Sequence, residues 1–122
     1  MHASARPIER HTVDTTSLTS LANEHLQIAR AANSGRSAHT VFGGHDCVLR
    51  QTLIALIGGQ FLAEHDSPGE ATLQVLHGEV RLVDDSHSLD MVSGDFTPIP
   101  GVRHRLEAIA DAVVLLTVVQ LH

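Results

Sequence analysis

The chain contains no Trp, no Tyr and no Lys, and only one Cys and three Phe among its 122 residues. Each scarcity removes a class of chemistry. Without Lys there is no lysine Schiff base and no pyridoxal cofactor held that way. Without Tyr there is no phenolic acid or nucleophile. Cys47 alone cannot close an internal disulfide, which suits a reducing interior. Its place in the apolar run Cys47-Val48-Leu49 reads as a small buried hydrophobe rather than a nucleophile. The eight basic residues are all Arg, are scattered, and face 14 acidic residues, for a formal charge of −6. A nucleic-acid surface needs clustered cations and stacking aromatics, and neither is present. No stretch reaches the roughly 20 apolar residues of a membrane helix. The longest, Ala112 to Val119, is strand-sized, and the start from Met1 to Pro7 is not followed by the apolar core of a signal peptide. A cytoplasmic protein with no nucleic-acid and no membrane partner is expected.

What is present suits one globular domain. The chain is 43% apolar and 18% charged, an ordinary balance for a soluble fold, and is long enough to bury a core without disulfides or a structural metal. Residues 1–16 are polar and irregular and read as a flexible N-terminal arm. Ser17 offers a hydroxyl to cap a helix, and Leu18, Leu21, Ala22, His25, Ile28 or Ala29, and Ala32 recur at helical spacing. Arg30 in the last turn and Gly35 as a left-handed C′ residue predict a helix over 18–33, within an N-terminal helical segment spanning 17–35. From 36 to 122 the texture is β. Expected strands cover 37–42, 47–57, 71–76, 79–83, 87–92, 96–99, 104–109 and 112–120, separated by Gly, Pro and Asp turns. Gly78 allows a bend, and Asp84-Asp85-Ser86 is a turn cluster. One helix followed by short, regularly spaced strands predicts an all-β sandwich or barrel, with a jelly roll the natural form.

Two stretches carry the chemistry. The first runs from Gly59 to Gly78 and holds His65 six positions after Gly59 and thirteen before Gly78. The second is Gly94-Asp95-Phe96-Thr97-Pro98-Ile99-Pro100-Gly101-Val102-Arg103-His104. Together they resemble the paired motifs of the cupin superfamily, G-x5-H-x-H-x3,4-E-x6-G and G-x5-P-x-G-x2-H-x3-N, over roughly residues 40–120. The resemblance implies a cupin, or double-stranded β-helix, barrel with one N-terminal α-helix ahead of it. It also implies a metal between the motifs, but this chain keeps only one histidine of each. Ser67 stands at the second histidine, Ala71 at the glutamate and Ala108 at the asparagine, and one residue is missing between Pro100 and His104.

The surviving residues lead to two readings. In the first, the barrel is a small-molecule-binding protein whose polar groups are His65, His104 and Gln51. Its walls are then Leu73, Val75 and Ile54 or Leu53, the usual make-up of a ligand pocket, with no metal tightly bound. Either Gln51 or its neighbour Arg50 must face the interior or a partner subunit, because a buried polar group has to be paired. In the second, the chain is a metal-dependent cupin enzyme of dioxygenase or isomerase type. His65, His104 and Glu70 would then hold a divalent ion such as Fe, Mn, Ni or Zn, since two imidazoles and a carboxylate make a competent open site. Glu70 lies one residue before the usual glutamate, so it needs a bulge after Pro68-Gly69 to turn inward. His45, which shares the strand parity of Cys47 and Gln51, could reach the pocket or face solvent from a loop, and His77 beside Gly78 could line the barrel mouth or the surface; His25 on the helix, His39 and His87 need no special role. The apolar stripe of the helix and the arm before it suit a homodimer. A regulatory module of the sugar-sensing kind would need a helix-turn-helix, for which one helix leaves no room.

Overall fold

The computed structural model describes residues 14–65, 69–99 and 104–119, with backbone alone at 64 and 65. The expected arm over 1–16 falls largely outside these residues. Ser17 caps helix α1 (Leu18–Ala31), its hydroxyl oxygen accepting from the Ser20 amide at 3.1 Å. The helix stops two residues short of the expected end. Ala32 is already extended, and Gly35 lies beyond the cap with φ +68, turning the chain into the first strand.

Nine strands follow among the described residues: β1 (Arg36–Phe42), β2 (Leu49–Leu56), β3 (Phe61–His65), β4 (Glu70–His77), β5 (Glu79–Asp84), β6 (Ser88–Val92), β7 (Phe96–Pro98), β8 (His104–Ala108) and β9 (Ala112–Val119). They form two antiparallel sheets, one ordered β1-β2-β9-β4-β7 and the other β3-β8-β5-β6. Eight of the nine match expected strands. The ninth, β3, has no strong alternation of its own, and Ala63 and Glu64 are weak strand formers; it exists because β8 offers it an antiparallel edge.

Side chains on alternate positions separate into two cores. Between the sheets lie Leu56, Leu73, Val75, Val80, Leu82, Met91, Leu106, Ala108, Ala112 and Val114, with Ile54 and Leu116 packed against them. On the outer face of the five-stranded sheet, α1 lays Ala22, Leu26 and Ala29 over Leu53, Ala55, Val113 and Leu115. The Leu53–Leu56 half of β2 and most of β9 are therefore covered on both faces, which is why they read as near-continuous apolar runs. Each fully buried Leu or Val contributes roughly 1.5–3 kcal/mol of burial free energy. Asp111 fastens the helix end to the barrel. Its carboxylate accepts from the Gly58 amide at 2.9 Å and from Arg30 Nε at 3.1 Å. Among the described residues no helix is long and apolar enough to cross a membrane.

Candidate functional site

The alternation that sorts the cores also sorts the site. On β8 the inward positions are His104, Leu106 and Ala108, all buried. His104 stands at the end of that series, 4% exposed, where the apolar interior gives way to the barrel mouth. Across the four-stranded sheet its backbone is paired on one side with residue 65 of β3 and on the other with Asp84 of β5. Directly opposed residues of an antiparallel ladder share a sheet face. Positions 65, 104 and 84 thus form one row, although the two motifs are far apart in the chain. The side chain of His65 lies outside the described residues.

A cavity of about 210 Å³ opens beside this row, lined by Leu82, Asp84, His87, Leu89, Thr97 and His104. Leu82 and Leu89 give it apolar walls, and Thr97 reaches it from the opposite sheet, where β7 pairs with Leu73 of β4. The floor is polar and ordered. Asp84 Oδ1 accepts from the Ser86 amide at 2.9 Å and the His87 amide at 2.7 Å. Those two backbone donors, Ser86 first, hold the Asp84 carboxyl below the usual carboxylate range, so it is anionic at neutral pH. The His87 ring is mostly exposed and accepts or donates at 3.0 Å with the Ser86 hydroxyl.

Two expected site residues are not part of this pocket. Gln51 shares the parity of Leu53 and Ala55, which face α1, and its Nε2 donates to Thr117 Oγ1 at 3.2 Å. It lies on the outer face of the five-stranded sheet, so its polarity is satisfied there and not in the barrel. Glu70 is also outward. The β4–β9 ladder runs regularly from Glu70↔Val119 to Val75↔Val114, with no shift near Pro68-Gly69 that would turn it. Ala71 and Leu73 take the inward positions and Glu70 is exposed. The inferred triad of His65, His104 and Glu70 therefore lacks its carboxylate. No cluster of three metal-ligating side chains occurs among the described residues. Among the described residues, Glu70 does not supply the carboxylate of the metal centre that the paired motifs imply.

Asp84 and His87 were missed at the sequence level. Asp84 reads as turn chemistry, which it performs, yet it also continues the inward series Val80, Leu82, Asp84. That alternation was the available signal. Of the expected pocket walls, Leu73, Val75 and Ile54 do belong to the interior core, and Leu53 faces the helix.

No protein-family model matches the chain, and no curated protein matches it. Solved structures do. A conserved protein of unknown function from Streptococcus pyogenes is 26% identical, with a TM-score of 0.66 over 75% of this chain and 79% of that one. A cupin superfamily protein from Desulfitobacterium hafniense is 16% identical, with a TM-score of 0.64 over 70% of this chain and 77% of that one. A cupin-2 domain containing protein from Shewanella frigidimarina is 15% identical, with a TM-score of 0.63 over 93% of this chain and 99% of that one. At these identities the likeness establishes the barrel and leaves the chemistry to the residues.

Proposed function

We propose that this chain, a small cupin barrel, binds a small molecule at the mouth of the barrel. The observation that carries the reading is the buried His104 set in one row with the anionic Asp84 beside an open cavity of about 210 Å³. The imidazole can both donate and accept, the carboxylate accepts, and the Thr97 hydroxyl, which donates to the Pro98 carbonyl at 3.0 Å, keeps lone pairs to accept with. Leucine walls with a few convergent polar groups are the usual make-up of such sites. The ligand that fits is neutral or cationic, with an apolar body and hydrogen-bond donors. An anionic ligand would meet the Asp84 charge. We include position 65 in the same site because the ladder sets it opposite His104.

The test is a thermal-shift screen of small hydroxylated and amine-bearing compounds, followed by amide chemical-shift mapping with any hit. Shifts should centre on Leu82, Asp84, His87, Leu89, Thr97 and His104. Replacing Asp84 by Asn should weaken a cationic hit by about 10- to 150-fold, since hydrogen bonds to charged groups are worth about 1.5–3 kcal/mol. Shifts confined to the outer sheet face, or a His104→Ala variant that binds the hit as tightly as the parent, would defeat the reading.

Homodimerisation belongs to the same proposal. Phe42 and Phe96 are 49% and 60% exposed. Their ladder partners, Gln51 and Gln74, place both on the outer face of the five-stranded sheet, at opposite edges beyond the helix. Pairing through that face would cover them. Light scattering at micromolar concentration should report twice the chain mass, and a monomer would remove this part of the proposal. The lone half-buried Cys47 fits a reducing compartment, and we place the protein in the cytoplasm.

A further inference from the structure

Beneath the helix, on the opposite side of the sheet from the pocket, two histidines from different elements meet. His25 sits on the inward face of α1, 7% exposed. Its Nδ1 lies 2.7 Å from the hydroxyl oxygen of Ser37 on β1. His39 stands two residues further along the same strand and is exposed to solvent. The ring centroids of His25 and His39 are 5.1 Å apart, with the planes tilted by 41°. We infer that this pair binds a divalent transition-metal ion, Zn²⁺ or a similar imidazole-preferring cation, and that the ion ties the helix to the barrel.

The separation supports the inference quantitatively. A Zn–N bond is about 2.0–2.1 Å, so a ring centre lies about 3.2 Å from a bound ion, and two imidazoles at a tetrahedral angle have centres about 5.2 Å apart. The observed centroid separation of 5.1 Å matches that value. The Ser37 hydroxyl supplies what ligating histidines ordinarily have, a fixed partner for the second ring nitrogen. In the tautomer with the proton on Nδ1, that nitrogen donates to Ser37 Oγ and leaves the Nε2 lone pair for the ion. The exposure of His39 gives the ion a route in. Only two protein ligands take part, because no third His, Cys, Asp or Glu joins them among the described residues. Water fills the other positions, which makes the site exchangeable rather than closed. Metal affinity is the quantity that distinguishes this site from simple ring packing.

The experiment uses the full chain stripped of metal and titrated with ZnCl₂ alone, read by calorimetry, melting temperature and long-range ¹H–¹⁵N spectra of the imidazoles. The parent should bind Zn²⁺, melt higher with it and show the His25 ring signals move. His39→Ala and the bulkier His39→Gln should keep the metal-free melting temperature, because His39 is exposed. Both should lose at least about tenfold in affinity at this site, since removing even an outer-shell partner costs about 10–100-fold. His104→Ala should keep the zinc response, which separates this site from the barrel mouth and from the fate of the ligand proposal. Equal zinc affinity and equal melting shift in the parent and both His39 variants would overturn the inference, as would His25 ring signals that ignore zinc.

Discussion

The corner at Gly78 offers the sharpest test of how this barrel is held together. Gly78 lies between β4 and β5, where the chain leaves one sheet for the other. Its φ is +84, and a Cβ placed there would press into the carbonyl oxygen of Asp111 and stand 2.8 Å from the Cα of Ala112. Both are backbone atoms at the head of β9, which is pinned in its ladder and cannot swing aside as a side-chain tip could. Gly59 is the matched control, with φ +93 and nothing within 4 Å of an added Cβ. Alanine at either position incurs the left-handed cost of about 1–2 kcal/mol. At Gly78 the steric cost of forcing the β9 backbone away adds about 1–3 kcal/mol. Any gain from a stiffer unfolded chain is common to both variants and cancels. Gly78→Ala should therefore be less stable than Gly59→Ala by about 1–3 kcal/mol, or roughly 3–15 °C in melting temperature for a domain of this size. Urea denaturation of the two variants side by side measures it. If the two midpoints correspond to stabilities within about 0.5 kcal/mol of each other, the crowding at the corner is not what the geometry says.

Three further outcomes are expected. Ser17→Ala removes the oxygen that accepts from the Ser20 amide and should cost about 1 kcal/mol, visible as a loss of helical ellipticity and a lower urea midpoint. Leu53→Ala empties a fully buried position under the helix and should cost about 2–5 kcal/mol, whereas Leu89→Ala, 47% exposed, should cost less than about 1 kcal/mol. Acid should weaken the fold in a defined direction. Asp111 is held below the ordinary carboxylate range by the Gly58 amide and then Arg30, Asp84 by the Ser86 and His87 amides, and Asp90 by Arg81. Each depressed carboxyl adds stability that is complete above the unfolded value near pH 4 and is lost as pH falls through the lower folded value. Stability measured from pH 6 to 2 should decline below about pH 4, and Asp111→Asn should flatten the decline.

How far the fold was legible follows from where each strand sits. β5 announces itself because Val80 and Leu82 face inward while Glu79 and Arg81 face out. β2 does not, because Leu53 and Ala55 meet the helix while Ile54 and Leu56 meet the barrel. With apolar residues on both faces, alternation cannot say which side Gln51 takes, and that ambiguity produced its misassignment to the pocket. Glu70 failed for the reverse reason. Its parity already pointed outward, and inward placement required an irregularity that the β4–β9 ladder does not contain between Glu70 and Val75. The second motif singles out His104, and the β3–β8 ladder sets it opposite position 65 of the first motif. Asp84 was legible as a turn former but not as a pocket residue, because one carboxylate serves both roles and only tertiary structure reveals the second.

The position of β9 has a consequence for how the protein is made. Its partners are β2 and β4, which precede it by a long span of chain, and nothing local to β9 substitutes for them. Until this stretch emerges from the ribosome, β2 and β4 each carry an open edge. Topologies dominated by such distant pairings fold slowly, and the interval before β9 arrives is when the nascent chain is most exposed to aggregation and most dependent on chaperones.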